Sequence, residues 1–108
     1  MPTNLVIGEF EQLVLLALLH LGHQGHAIEL RTRLCEIAGR NVSRGALYRT
    51  LDRLEEKGWV TWEKESEAPD RGGHVRRRFS VTERGIAVLR ASRQTLQGLW
   101  QGLEEALG

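Results

Sequence analysis

Residues 43–60 read SRGALYRTLDRLEEKGWV, and this segment shows the clearest structural pattern in the chain. Ser43 is a residue type that favours a helix N-cap, and Gly58 is typical of the position just after a helix ends. Between them, leucines recur at helical spacing and predict one buried face with a polar face opposite. We therefore expect a helix from Ser43 to about Lys57. Its inward-facing residues are Leu47, Leu51 and Leu54.

Two further helices are predicted upstream of this one. Apolar residues from Phe10 to Leu21 recur at three- and four-residue spacing and also fill the other side, which is typical of a buried helix. Two glycines then interrupt the pattern, and a second helix is expected from about His26 to Ala38. The three helices together predict a helix-turn-helix. The second helix is expected to bury Ala27, Leu30, Leu34 and Ile37.

After Gly58 the periodicity changes from helical to alternating. The run from Trp59 to Trp62 is followed by an acidic, turn-rich stretch over residues 63–70, and alternation resumes at residues 75–81. Alternating runs joined through glycines are typical of a β-hairpin. We therefore expect a two-stranded hairpin with a long loop.

A last helix is predicted from Thr82 to about Leu107. One side carries a 3-4-3-4 seam that is apolar except at Arg93, and such a seam is typical of a helix that pairs with a partner. The predicted fold is mainly α with a β-hairpin: a winged helix-turn-helix domain over residues 1–81 and a C-terminal dimerisation helix over residues 82–108. The seam consists of Ile86, Leu89, Arg93, Leu96, Trp100, Leu103 and Leu107.

The composition limits what the chain can be. With 108 residues and a mass of 12.2 kDa, it corresponds to one domain with a thin core that a partner subunit would extend. Its longest apolar run, residues 13–19, is too short to cross a bilayer, and the first residues carry no lysine or arginine. We therefore expect a cytoplasmic protein without a membrane partner. Cys35 is the single cysteine, which excludes an internal disulfide.

The charge of the chain is segregated, although the net charge is only +1. Eight of the 15 basic residues, but only one of the 14 acidic residues, lie in the two segments 40–53 and 71–78. The rest of the chain is therefore acidic. A basic patch on an acidic body is the electrostatic footprint expected for binding a polyanion.

The polar face of the helix that begins at Ser43 carries basic and hydrogen-bonding side chains. In a helix-turn-helix this face enters the DNA major groove, where arginine pairs with guanine and helix-start amides hold phosphate. Arg44 and Arg49 are the predicted base-reading residues, and Gly45 is expected to allow close approach of the two backbones. A merely solvated helix face is the alternative. The predicted DNA-binding residues here are Ser43, Arg44, Gly45, Tyr48, Arg49 and Arg53.

The tip of the predicted hairpin is also basic. Four arginines lie within residues 71–78 with no acidic residue among them, and their mutual repulsion favours a polyanionic partner. A cationic loop is typical of a wing that contacts the DNA backbone or the minor groove. The predicted DNA-binding residues of the wing are Arg71, Gly72, Gly73, His74, Arg76, Arg77 and Arg78.

Two motifs resemble a known family. The segment GALYRTLDRLEEKGWV, residues 45–60, resembles the recognition-helix signature of the PadR family of bacterial transcriptional regulators. The stretch from Arg71-Gly72-Gly73 to Gly85 is similar to that family's wing, and the single last helix is similar to its short subgroup. The resemblance implies a homodimeric repressor that binds double-stranded DNA at a palindromic operator. It also implies release by a small molecule that binds near the dimer interface.

Trp100 lies on the predicted seam, and two roles stay open for it. Its indole either packs the dimer or, together with Leu96, lines a cavity for a small aromatic or hydrophobic effector. Trp59 and Trp62 are expected to pack the hairpin onto the helices.

The histidines, the cysteine and the lack of catalytic motifs bear on other classes of function. Three histidines spaced by three suggest a metal-responsive regulator, although side chains at a helix end often lie in solvent. A winged helix also serves as a protein-interaction module, because a fold does not fix function. An enzyme, a cofactor and a bound metal are not expected, since the chain has no phosphate loop, nucleophile elbow or zinc-protease motif. Cys35 is expected to be buried and inert. The histidines are His20, His23 and His26.

Overall fold

The computed structural model describes residues 7–65 and 76–108, and these are mainly helical with one small sheet. The helices are α1 (Glu9–His20), α2 (Ala27–Ala38), α3 (Arg44–Glu56), α4 (Glu83–Trp100) and α5 (Glu104–Leu107). The strands are β1 (Gln24–Gly25), β2 (Val60–Glu65) and β3 (Arg76–Val81), which form an antiparallel sheet in the order β1-β3-β2. Within the described ranges, no helix combines the length and the apolarity that crossing a membrane requires.

The helix ends follow the capping residues that the sequence provides. The Ser43 hydroxyl accepts a hydrogen bond from the Ala46 N–H at 3.1 Å where α3 begins, and the Thr82 hydroxyl accepts one from the Gly85 N–H at 3.0 Å where α4 begins. Each bond satisfies an amide of the first helical turn that has no partner within the helix. Gly39 ends α2 with a φ of +63°, a left-handed conformation that glycine adopts without strain.

The core lies between the first three helices and the hairpin. The three leucines predicted to face inward from α3 are fully buried, as is Phe79 of β3. Two predictions for α2 are wrong, because its last turn lies in solvent: Ile37 is 58% exposed and Cys35 is also exposed. The two predicted hairpin tryptophans, Trp59 and Trp62, pack half-buried against the core as expected.

β1 is not apparent from the sequence, because two residues are too few to show an alternating pattern. Its Gln24 and Gly25 pair with Ser80 and Phe79 of β3, so the turn after α1 adds a third strand to the hairpin. Gly25 is buried, and a Cβ atom on it would lie 2.6 Å from the Leu21 Cδ1 atom. The hairpin is therefore fixed closely to the end of α1.

The prediction of one continuous last helix to Leu107 is wrong. α4 ends at Trp100, because Gln101 has an extended ψ of 132° and Gly102 has a positive φ of +84°. The single turn α5 begins only after this break. Leu103 and Leu107 therefore do not continue the α4 seam as one straight stripe.

α4 is attached to the rest of the chain mainly through α1 and the hairpin. Leu89 of α4 is buried in the core, and the Ser92 hydroxyl donates a hydrogen bond of 2.8 Å to Gln12 Oε1 of α1. At the start of α4, the Thr82 hydroxyl donates to the Gly58 carbonyl at 2.7 Å. These contacts fix the first three turns of α4, and its later turns extend beyond them.

Candidate nucleic-acid interface

The arginines of α3 that the sequence predicts to bind DNA are all exposed. Arg44, Arg49 and Arg53 are exposed, whereas the leucines of the same helix are fully buried. Ser43 is exposed at the N-terminus of the helix, where the helix dipole is positive. This end can hold a phosphate on its backbone amides, and the arginine face can place guanidinium groups against base edges.

Gly45 lies in the first turn of α3, and the described part of the protein does not require it to be glycine. Its φ is not positive, and a Cβ atom there would meet no atom of the described residues within 4 Å. Glycine inside a helix lowers stability by about 0.5–1 kcal/mol relative to alanine. Gly45 therefore leaves open space beside the helix backbone, on the side predicted to face DNA.

The Tyr48 ring connects α3 to the hairpin. Its ring lies edge-on to that of Phe79, with the ring centres 6.2 Å apart and the planes at 65°. The guanidinium carbon of Arg44 lies 5.5 Å from the Tyr48 ring centre, and that of Arg77 lies 5.7 Å from it. Both distances are in the range of cation–π contacts. The orientation of the tyrosine is therefore fixed by groups from two elements.

The described hairpin arginines differ in their surroundings. Arg77 lies against α3, with its Nη1 3.9 Å from Asp52 Oδ1. Arg78 Nη1 lies 3.3 Å from Glu65 Oε2. Arg76 is half-exposed and pairs across the strands with Glu65. Arg77 therefore lies beside an acidic residue of α3, whereas Arg76 and Arg78 are both placed near Glu65 of β2.

Four predicted wing residues fall in the segment 66–75, which lies outside the residues that the structure describes. The described part of the hairpin ends at Glu65 and Arg76, which pair with each other. The residues outside are Arg71, Gly72, Gly73 and His74.

The histidines of the metal-site alternative are differently placed. His26 Nδ1 lies 2.9 Å from Glu29 Oε1, and its Nε2 lies 2.7 Å from Glu65 Oε1. The His26 backbone N–H also donates to Glu29, and this bond holds the pKa of the Glu29 carboxyl below its ordinary value. His20 and His23 are exposed. Over residues 7–65 and 76–108, no three His, Cys, Asp or Glu side chains are grouped to hold a metal ion.

An apolar groove of about 460 Å³ lies between α1 and α4. Five of the seven predicted seam residues line it, together with Leu16 and Leu19 of α1, which the sequence did not assign to this surface. Leu16 is 41% exposed and Trp100 is 59% exposed. The sequence did contain a sign of this surface, because α1 has apolar residues on both sides. The core of one chain does not cover all of them. The seam residues in the groove are Ile86, Leu89, Arg93, Leu96 and Trp100.

Residues 15–91 match the family model described as the transcriptional regulator PadR-like family. The chain belongs to this family. The match begins within α1, ends within α4 and includes α2, α3 and the hairpin. The resemblance found in the sequence is thus confirmed, and this PadR-like protein is a winged-helix DNA-binding transcriptional regulator and not an enzyme.

Solved structures are similar to this PadR-like protein over most of its length. A PadR family regulator from Clostridium difficile R20291 has a TM-score of 0.76 at 20% identity, covering 94% of this chain and 100% of that one. A PadR family regulator from Eggerthella lenta DSM 2243 has a TM-score of 0.70 at 26% identity, covering 92% and 86%. F93 from STIV, a winged-helix DNA-binding protein, has a TM-score of 0.67 at 21% identity, covering 84% and 90%. The predicted fold class is confirmed. No curated protein matches the chain significantly.

Proposed function

We propose that this PadR-like regulator is a cytoplasmic homodimeric repressor that binds a palindromic operator and leaves it when a small aromatic or hydrophobic effector binds. The observation that carries the proposal is the exposed arginine face of α3, opposite a fully buried leucine face and beside a hairpin that also bears arginines. Such a surface matches the negative charge and the groove width of duplex DNA.

Each basic element has a distinct role in this proposal. Arg44 and Arg49 read base edges, because they lie on the exposed face near the start of α3. Ser43 and Tyr48 bind phosphate or sugar beside them. Arg53, Arg76 and the wing segment 71–74 contact the sugar–phosphate backbone and raise affinity for all sequences.

The C-terminal part of the chain, residues 82–108, serves dimerisation in this proposal. The groove between α1 and α4 is lined by apolar side chains of both helices and is open along α4. A second copy that places the same surface against it would bury these side chains and repeat the DNA-binding surface by two-fold symmetry. Leu103 and Leu107 are exposed apolar residues that follow α4, and in this proposal they add to the dimer surface.

The proposed effector binds at the same groove. Leu96 and Trp100 both line it, and the exposed Trp100 indole offers a flat face for stacking. The volume of about 460 Å³ lies within the range of small-molecule sites. A ligand here changes how two subunits pack, and therefore changes the spacing of their α3 helices.

Selection of bound fragments from random duplex DNA, at two salt concentrations, tests the proposed function. We expect an inverted repeat whose half-sites lie about one helical turn, ~34 Å, apart. Affinity for the recovered duplex should fall steeply with salt, because neutralised phosphates release counterions. A single unrepeated site would contradict the dimeric mode. No enrichment, with binding to a protein partner that is insensitive to salt, would instead support the protein-interaction module.

Gly45→Ala is expected to make the protein more stable and a weaker DNA binder. The new methyl group meets no described atom of the chain, so it should raise the free energy of unfolding by about 0.5 kcal/mol. The same methyl group would stand between the α3 backbone and the DNA backbone, and operator affinity should fall roughly tenfold. Urea unfolding and fluorescence anisotropy with the selected duplex measure the two effects.

Gly98→Ala is the matched control for this change. Gly98 lies in α4, and a Cβ atom on it would also meet no described atom within 4 Å. This variant should gain similar stability and keep wild-type affinity for DNA. Unchanged DNA binding by Gly45→Ala would show that DNA does not approach the first turn of α3.

A further inference from the structure

Arg77 belongs to β3, and its side chain lies between the neighbouring strand β2 and the helix α3. Its guanidinium carbon lies 4.6 Å from the centre of the Trp62 ring and 5.7 Å from the centre of the Tyr48 ring. Its Nη1 lies 3.9 Å from Asp52 Oδ1. Trp62 belongs to β2, whereas Tyr48 and Asp52 belong to α3, one helical turn apart. Arg77 therefore bridges two elements that the sequence predicts to contact DNA separately.

The register of the hairpin explains why Arg77 reaches α3. Trp62 pairs with Phe79 across the strands, and Arg77 precedes Phe79 by two residues, so all three side chains share one face. That face packs on α3, where the Phe79 ring meets Tyr48. Arg76 is on the opposite face of the same strand. The strand therefore directs two neighbouring arginines to different surroundings.

The positive charge of Arg77 lies next to a negative charge of the protein itself, the Asp52 carboxylate. Asp52 is the one acidic residue in the basic segment 40–53 and is exposed on the recognition helix α3. A carboxylate in that position repels DNA phosphates, and a guanidinium beside it reduces the repulsion. The Arg77 guanidinium is thus engaged by two aromatic rings and one carboxylate.

We propose that Arg77 is a positioning residue that holds the wing at a fixed spacing from the recognition helix, and that it does not bind a DNA phosphate. Its planar guanidinium stacks on a ring from each element, which a point charge cannot do. The wing and α3 then meet one duplex as a single body. This inference rests on the proposed function, because the spacing matters only when both elements contact the same DNA.

Charge-preserving substitutions test the positioning role. Lysine is a good phosphate ligand but lacks the planar group that stacks on two rings. Arg77→Lys should therefore lower affinity for a selected operator duplex about tenfold. The control is Arg84→Lys, at an exposed arginine of α4 outside both basic segments, and it should change affinity less than about threefold. Wild-type affinity in Arg77→Lys, together with a loss in Arg77→Gln, would show a phosphate contact and overturn the proposal.

A global readout separates positioning from a general structural role. The contacts of Arg77 lie on a half-exposed side chain, so a positioning role leaves the urea midpoint of Arg77→Lys close to that of the wild type. DNA affinity should fall although the urea midpoint does not change. A midpoint that falls in step with DNA affinity would show that Arg77 only stabilises the fold, and would overturn the proposal.

The protein without DNA gives an answer that does not depend on the proposed function. Backbone amide hydrogen exchange in β2 and β3 reports how firmly the wing is held against α3. We expect exchange to be several-fold faster in Arg77→Lys and unchanged in Arg76→Lys. Equal protection in Arg77→Lys and wild type would overturn the positioning role, whatever the DNA measurements give. Failure of the wild type to select any duplex would refute the proposed function alone.

Discussion

Two glutamates placed in the apolar groove, Leu16→Glu with Leu96→Glu, are expected to convert the protein into a soluble monomer. Leu16 and Leu96 line opposite walls of the groove, one on α1 and one on α4. In the proposed dimer the two substitutions place four carboxylates in the interface, and each one buried there without a partner costs several kcal/mol. Sedimentation analysis should then show one chain per particle.

The same variant should lose most of its specific DNA affinity. A monomer reaches one half-site only, and specific binding is commonly about 10³-fold or more tighter than non-specific binding, so the expected loss is of that order. Affinity for the selected duplex and for a random duplex of equal length should become nearly equal. The matched control is Ala87→Glu with Gln94→Glu, because both residues are exposed on α4 outside the groove lining. A Leu16→Glu, Leu96→Glu variant that stays dimeric would contradict the assigned interface.

Gly85→Ala is expected to be the most destabilising single-methyl change in the described part of the chain. A Cβ atom there would lie 2.4 Å from the Trp59 carbonyl oxygen and 2.9 Å from Val81 Cγ1. The Trp59 carbonyl also accepts the Thr82 N–H at 3.0 Å, so the backbone cannot move away without losing that bond. Overpacking of this kind should lower the free energy of unfolding by about 3 kcal/mol.

The stability measurement needs a glycine of the same helix for comparison. Gly98→Ala places a methyl group in α4 where it meets no described atom within 4 Å, so it should raise the free energy of unfolding by about 0.5 kcal/mol. Both variants are unfolded in urea at one protein concentration, because dimerisation adds to apparent stability. A loss below about 1 kcal/mol in Gly85→Ala would show that the hairpin and α4 separate easily at this junction.

The parts of the fold that follow from local chemistry were predictable. Ser43 and Thr82 carry hydroxyls that cap their helices, and both act as N-caps in the structure. The leucines of α3 recur at a period that leaves one buried face, and the structure buries all of them. These assignments succeeded because each depends on residues within one or two helical turns of each other.

The parts that depend on distant contacts were not predictable from one sequence. β1 forms only because β3 lies beside the turn after α1, and Ile37 is exposed because none of the described elements covers the end of α2. The break after Trp100 requires the positive φ of Gly102, and a single glycine in a helical pattern does not by itself reveal that conformation. The seven-residue seam was therefore predicted on one continuous helix, although α4 ends before the last two seam residues.

The candidate site shows the same division. The exposed arginines of α3 follow from helical geometry, whereas the contact of Arg77 with Tyr48 depends on how the hairpin packs against that helix. Leu16 was visible as an apolar residue but not as part of a groove, because its neighbours belong to α4. Sequence periodicity identifies a face, and only the packed structure identifies what lies against it.

The exposed Cys35 has a practical consequence for measuring this protein. It is the only thiol in the chain and lies on α2, immediately before the segment that leads into α3. A nitroxide or a fluorophore attached there labels each subunit once, without removing other cysteines first. In the proposed homodimer, the distance between the two labels would report the separation of the two helix-turn-helix units in solution, with and without duplex DNA or effector.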